Sequence, residues 1–265
     1  MLPAQLTMSS RKKRIILKFG TGILALPDGM ALDQPQLKAL TEEIAALIRT
    51  GHEVCVVSSA AVAAGLATLG FRERPADLPS IQACAAVGQS RLMQAYESLL
   101  SKHDLHVGQL LLTHQDIDSR ARYANARNTL DRLFACGNVV PIINENDSVA
   151  VEELRFGDND RLSAEVSILA NADLLILLTS VDGLLDEKTG QVVSVVNDLS
   201  AVDEHIREEK GRFSVGGMRS KLQAANHAAH AGIQVVIANG RTRGNITRIV
   251  DGEKIGTRVT AHKAH

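Results

Sequence analysis

Tryptophan is absent from this 265-residue chain, and aromatic residues of all kinds make up only 3% of it. A core without rings has to be filled by Ala, Val, Ile and Leu, drawn from an apolar fraction of 45%. Such side chains suit helices packed closely on a parallel sheet. Cysteine is scarce as well: Cys55, Cys84 and Cys136 stand far apart and form no C-x-x-C pair. An odd, sparse set excludes a disulfide scaffold or a cysteine zinc site, and fits a reducing compartment. Neither sign of charge dominates, with 29 Lys+Arg against 30 Asp+Glu and a formal net charge of -1. The one basic cluster, Arg11-Lys12-Lys13-Arg14, reads as a solvated lead-in to the first strand, so no nucleic-acid partner is expected. No apolar stretch reaches a membrane span or forms a signal-peptide core, which points to a cytoplasmic protein with no membrane partner. Repeats, low-complexity blocks, a G-x-S-x-G elbow and a Walker A loop are also missing.

The chain does contain short apolar, β-branched runs alternating with helical patterns. Strands are expected at Arg14–Gly20, His52–Ser59, His106–Thr113, Asn138–Glu145, Asp173–Thr179 and Ile233–Gly240, with Gln191–Val196 a weaker case. These runs are continuously apolar, as strands covered on both faces are. Helices are expected at Gln34–Thr50, Pro79–His103, Tyr123–Cys136, Asn159–Asn171 and Met218–Ala231. In the first of these Leu37, Leu40, Ile44, Leu47 and Ile48 share one stripe, and Gly51 closes it. Strand, helix, strand in this rhythm means an α/β fold, a three-layer sandwich around a mainly parallel β-sheet. Ligands of such sheets sit beyond the carboxyl ends of the strands.

Four strand ends or turns carry candidate chemistry. Lys18, inside the first apolar run and followed by Gly20-Thr21-Gly22, is either an anion-binding cation or a lysine snorkelling at a strand end. Ser58-Ser59-Ala60-Ala61, before a helix, is either an anion-binding turn or an N-cap by Ser58 or Ser59. Glu145, Asp147, Asp158 and Asp160, interleaved with asparagines, form a dense acidic group after a buried strand. Such a group suits pairing with an ammonium, orienting lysines or holding Mg²⁺, against the alternative of an ordinary acidic loop. Finally, Arg219 and Lys221 fall in the first turn of a helix, where the macrodipole disfavours cations; an anion from elsewhere, such as ATP phosphates, would explain them.

Further stretches complete an ordered set: Ala86-Val87-Gly88-Gln89-Ser90-Arg91-Leu92, His106-Val107-Gly108-Gln109, Asn125-Ala126-Arg127-Asn128-Thr129-Leu130, and Gly216-Gly217-Met218 with Lys221-Leu222-Gln223-Ala224-Ala225. With Lys18-Phe19-Gly20-Thr21, and with Asn144-Glu145-Asn146-Asp147 followed by Gly157-Asp158-Asn159-Asp160, this set resembles the amino acid kinase family. Within that family it is similar to the branch that phosphorylates the side-chain carboxylate of free glutamate. The similarity runs from about Ile15 to Arg258.

The resemblance implies a single kinase domain in two lobes, an acceptor lobe at about 12–172 and a nucleotide lobe at about 173–262. It implies Ser59, Asp147 and Asn159 as glutamate-binding residues, with Asp158 supporting them. Lys18 and Lys221 match the lysines that neutralise the transferring phosphoryl group, and Asp160 the aspartate that orients them. Thr179, Ser180 and the segment Val215, Gly216, Gly217, Met218, Arg219, Ser220, Lys221 match the nucleotide-binding positions. ATP and Mg²⁺ are the implied cofactors, with Mg²⁺ carried by ATP rather than by direct protein ligands. Proline is the implied feedback inhibitor, a glutamyl phosphate reductase the implied partner, and a homo-oligomer the expected assembly. Three positions depart from the family pattern, which commonly has glycine at Ala60, aspartate or a similar residue at Ser180, and threonine at Val215. Other members acting on acetylglutamate or uridylate are the alternatives, as is a non-catalytic sensor of proline or nucleotide. Many relatives carry an RNA-binding-like PUA domain after the kinase, and little chain follows Arg258 to hold one.

Overall fold

The computed structural model describes residues 11–150, 159–186, 188–196 and 217–260. The described strands are β1 (Arg14–Phe19), β2 (Glu53–Ser58), β3 (His106–Leu112), β4 (Val139–Glu145), β5 (Leu174–Thr179), β6 (Val195–Val196), β7 (Gln234–Asn239) and β8 (Thr257–Val259). The helices are α1 (Thr21–Leu24), α2 (Gln34–Arg49), α3 (Ala61–Leu66), α4 (Leu78–Leu100), α5 (His114–Asp118), α6 (Arg120–Cys136), α7 (Asn159–Leu169), α8 (Met218–His230) and α9 (Asn245–Val250). All eight strands join one sheet in the order β3-β4-β2-β1-β5-β7-β8-β6. Six of them run parallel; β8 is antiparallel to β7, and β6 is parallel to β8.

The strand period of two sorts the core into two layers. Ile15, Leu17 and Phe19 of β1 join Val54, Val56, Leu174, Ile176 and Leu178 beneath α2, α4 and α9. Ile16 joins Cys55, Val57, Leu175 and Leu177 beneath α6, α7 and α8. The next side chain on that second face is Lys18, so the alternation aims its ammonium towards α7 and α8. Strand order reverses between β1 and β5, because the chain leaves β1 for β2 on one side and leaves β5 for β7 on the other. A crevice beyond the carboxyl ends of β1 and β5 follows from that reversal.

The expected strands and helices are present with ends shifted by a few residues. The weak candidate Gln191–Val196 reduces to the two residues of β6, with Val192 in an isolated bridge to Leu185. The short strand β8 and the short helices α5 and α9 carry too few residues for a period to be read. The basic lead-in is not simply solvated. Arg14 pairs with Glu53 at 2.7 Å and Asp131 at 2.9 Å, and its guanidinium lies 4.4 Å from the Phe134 ring centroid. Lys13 Nζ donates to the Val250 carbonyl oxygen at 2.7 Å. The cluster therefore ties β1 to β2, α6 and α9.

Helices α3 and α4 cross at two glycines. A Cβ added at Gly88 would fall 1.8 Å from the Ala61 carbonyl oxygen, and one at Gly65 would fall 2.0 Å from that of Cys84. Backbone contact this close admits no side chain at either position, so Gly88 is explained by packing.

Candidate active site

At the carboxyl end of β1, Lys18 reaches the side chain of Asp160 in the first turn of α7, the two forming an ion pair. Lys221, in the first turn of α8, approaches the other carboxylate oxygen at 3.0 Å. Ser220 Oγ donates to that same oxygen at 3.0 Å. The three charged side chains are buried, with Asp160 1%, Lys18 4% and Lys221 8% exposed. Burial alone would push the Asp160 carboxyl up, but the ammoniums of Lys18 and Lys221 outweigh it and hold its pKa below the usual carboxylate range. Bringing both ammoniums onto one buried carboxylate offsets part of the cost of burying each charge. A Cβ at Gly20 would lie 3.4 Å from Lys18 Nζ, in van der Waals contact with the ammonium.

One residue before Asp160, the carboxamide of Asn159 enters a different kind of cluster. Its Nδ2 donates to the Ser58 carbonyl oxygen at 2.8 Å, to Ser59 Oγ at 2.9 Å and to Asn144 Oδ1 at 2.9 Å. Ser58 in turn exchanges a hydrogen bond with the buried Tyr96 hydroxyl at 3.0 Å. Asp147 stands half-buried on the turn after β4, and Glu145 is buried at its end. Thr179 and Ser180 close β5, the first half-buried and the second exposed. Gly217, Met218, Arg219 and Ser220 form the start of α8, Arg219 being exposed. Asp158, Val215 and Gly216 lie outside the described residues.

One expectation needs correction. The helix after Ser58-Ser59 is not capped by either serine. Its N-cap is Ala60, which makes no side-chain cap and sits in the left-handed region at φ 74°, ψ 13°. A Cβ in that region is strained by about 1–2 kcal/mol, which accounts for the family's glycine there. The anion that Lys221 meets against the macrodipole of α8 is Asp160 of α7, the aspartate with which the resemblance pairs it. Residue patterns did not single out Asn144 for any role, although it stands in one of the ordered stretches that carry the resemblance.

A mainly parallel α/β sheet, with two buried lysines meeting one aspartate at its strand-order switch point, is thus in place. Residues 13–239 match the sequence model of the amino acid kinase family, and the chain belongs to it. Within that family it is 45% identical over 251 residues to the glutamate 5-kinase of Citrifermentans bemidjiense, a match covering 92% of this chain and 67% of that one. It is 44% identical over 254 residues to the glutamate 5-kinase of Syntrophotalea carbinolica, covering 94% and 67%. The chain spans about 67% of the length of these curated relatives. Among solved structures it resembles a UMP kinase from Bacillus anthracis, with TM-score 0.60, 19% identity and coverage of 95% and 97%. It also resembles an N-acetylglutamate synthase from Neisseria gonorrhoeae, with TM-score 0.65, 17% identity and coverage of 94% and 62%. These two likenesses speak for the fold alone. No helix among the described residues is long and apolar enough to cross a membrane.

Proposed function

We propose that the protein transfers the γ-phosphoryl group of ATP to the side-chain carboxylate of L-glutamate, giving L-glutamyl 5-phosphate for proline biosynthesis. The observation that carries the chemistry is the meeting of Lys18 and Lys221 on the two oxygens of Asp160 at the switch point. The acceptor carboxylate, with a pKa of about 4.3, is already ionised at neutral pH and needs no general base. Its obstacle is repulsion from the phosphates. Two fixed ammoniums, pre-aimed by a carboxylate that keeps them from drifting, lower that repulsion where charge moves in the transition state. A carboxylate oxygen of glutamate bonds to the γ-phosphorus as the bond to the bridging oxygen breaks, and ADP leaves with that electron pair.

Asp147, Asn159 and Ser59, with Asp158, are assigned to the glutamate, and Thr179, Ser180 and the residues from Val215 to Lys221 to the nucleotide. The lobe boundary then falls near residue 172, between α7 and β5. Both oxygens of Asp160 carry ammonium groups. Mg²⁺ is accordingly assigned to the phosphates of ATP, where it would spread the charge of the departing group. Cytoplasmic ATP and free glutamate as substrates, proline as inhibitor, a reductase that consumes the labile acyl phosphate, and a homo-oligomeric assembly complete the reading.

The test is ADP release by the purified protein with a panel of acceptors, with hydroxylamine present to trap an acyl phosphate. Release and a trapped hydroxamate from L-glutamate alone support the assignment. Release with N-acetylglutamate or UMP in place of glutamate would redirect it to another family member. Proline-induced thermal shifts without any ADP release would make the protein a sensor.

A further inference from the structure

The turn that leaves β7, Asn239-Gly240-Arg241, has no place in the proposed reaction, yet it touches the ends of both central strands. Towards β5, the Gly240 N–H donates to the Thr179 carbonyl oxygen at 2.9 Å, and Asn239 Nδ2 donates to Asp182 Oδ1 at 2.9 Å. A Cβ at Gly240 would fall 2.9 Å from that of Leu178, so the turn sits directly on β5. The Arg241 N–H donates to Asn239 Oδ1 at 2.9 Å, which braces the turn from within. Towards β1, one terminal nitrogen of Arg241 donates to the Gly22 carbonyl oxygen at 2.8 Å and to that of Ala25 at 3.2 Å. The other terminal nitrogen pairs with Asp33 at 3.0 Å, and Gln36 Nε2 donates back to the Gly240 carbonyl oxygen at 2.7 Å.

Helix α1 needs such support. It is a single turn, Thr21–Leu24, too short to be stable by itself. The Leu26 N–H, which would continue the helix onto the Gly22 carbonyl, goes instead to the Ala31 carbonyl oxygen at 2.9 Å. Arg241 takes up the carbonyl so released, as a cation at a helix C-terminus can. Ile23 and Leu24 are buried and keep α1 on the core, but apolar contact is non-directional and does not fix the helix's rotation. A planar fork bonded to two carbonyls and a carboxylate does. At its other end α1 is bound to Gly20, whose carbonyl oxygen accepts from Ile23 at 2.9 Å and from Leu24 at 3.2 Å. The Gly20 backbone lies so near the Lys18 ammonium that a Cβ there would touch it, and a rotation of α1 therefore shifts the wall against which Lys18 rests.

We infer that Arg241 is a positioning residue for phosphoryl transfer, holding α1, and through it the Gly20 backbone beside Lys18, in register with the turn after β5. The inference rests on the proposed role of Lys18. Arg241 itself touches neither Lys18 nor Asp160; it acts from the turn after β7 on a helix more than 200 residues earlier in the chain.

Steady-state kinetics of the full chain, with melting temperatures alongside, test this. Arg241→Met, similar in length but without donors, should lower kcat about tenfold, the scale of one hydrogen bond to a charged group, and leave the glutamate KM within about twofold. In a Lys18→Ala background the same substitution should cost less than about twofold, because its effect passes through Lys18. Asp33→Asn keeps the acceptor for the Gln36 N–H and leaves the two carbonyl contacts to Arg241. It should lower Tm by about 2–4 °C with kcat within about twofold of the wild type. Should Arg241→Met fold poorly, Arg241→Lys takes its place: it keeps the charge beside Asp33 but not the fork, and should lose at least about threefold in kcat with little change in Tm. Unchanged kcat in the Arg241 variants, equal kcat losses in Arg241→Met and Asp33→Asn, or a full tenfold loss added to that of Lys18→Ala would overturn the inference. Lys18→Ala alone separates the two levels. If it turns over normally, the proposed role of Lys18 is wrong; if it is impaired and the Arg241 loss adds to it in full, only the positioning role is wrong.

Discussion

Asn159 and Asp160 are neighbours in the first turn of α7, yet they anchor two clusters of opposite character. Around Asp160 the partners are full charges, Lys18 and Lys221, gathered from β1 and α8. Around Asn159 they are a neutral carboxamide, a hydroxyl and a carbonyl. On the proposed function, the difference follows the task of each. Charge is strong and tolerant of angle, which suits a phosphoryl group in transit. Amide dipoles are weaker but directional, which suits telling one small acceptor from another.

The division predicts effects of different kind and size. Asp160→Asn should cost about 3–5 kcal/mol of stability, because two buried ammoniums lose their common partner. Its pH dependence has a definite sign. A carboxyl whose folded pKa is depressed adds stability that is fully present above its unfolded pKa of about 3.9 and is lost as the pH falls towards the folded value. The gap between wild type and Asp160→Asn in denaturant melts should therefore be widest near neutrality and close below about pH 4. A gap independent of pH would separate Asp160 from the lysines energetically. Lys18→Ala and Lys221→Ala should each lower kcat by ~10²–10³ while leaving the glutamate KM nearly unchanged. Near-normal turnover in both would strip the charged cluster of its role.

In the neutral half the readout moves to the acceptor. Asp147→Ala should raise the glutamate KM by about tenfold or more, the scale of a hydrogen bond to a charged group, with kcat at saturation less affected. A raised ATP KM instead would mean that the two halves had been assigned the wrong way round. The smallest effect is expected at the turn between Ser59 and α3. Ala60→Gly relieves a left-handed alanine and should stabilise the protein by about 0.5–1 kcal/mol, after the entropy of glycine is subtracted. A rise of about 2 °C in Tm would register it, and a fall would mean that the Ala60 methyl packs better than its backbone suffers.

How much of this was legible beforehand differs between the halves. The parallel sheet followed from continuous apolar runs, while the face on which Lys18 stands became readable only once the strand was placed between its neighbours. Lys221 in a helix's first turn announced a missing anion, although that anion proved to be Asp160. The contacts of Asn159 with Asn144, Ser58 and Ser59 were not legible, because hydrogen bonds spanning 15, 101 and 100 residues leave no local periodicity. Ser58 and Ser59 looked like caps because serine prefers that position. Only the backbone angle of Ala60 reveals that the helix begins one residue later.

A single peptide link joins Asn159 to Asp160, with their α-carbons about 3.8 Å apart. On the proposed function, the spacing between the residue assigned to the glutamate and the carboxylate that pairs the two lysines is thus set by bond lengths inside a helix. An insertion at that junction would spoil the reaction even if both pockets still filled.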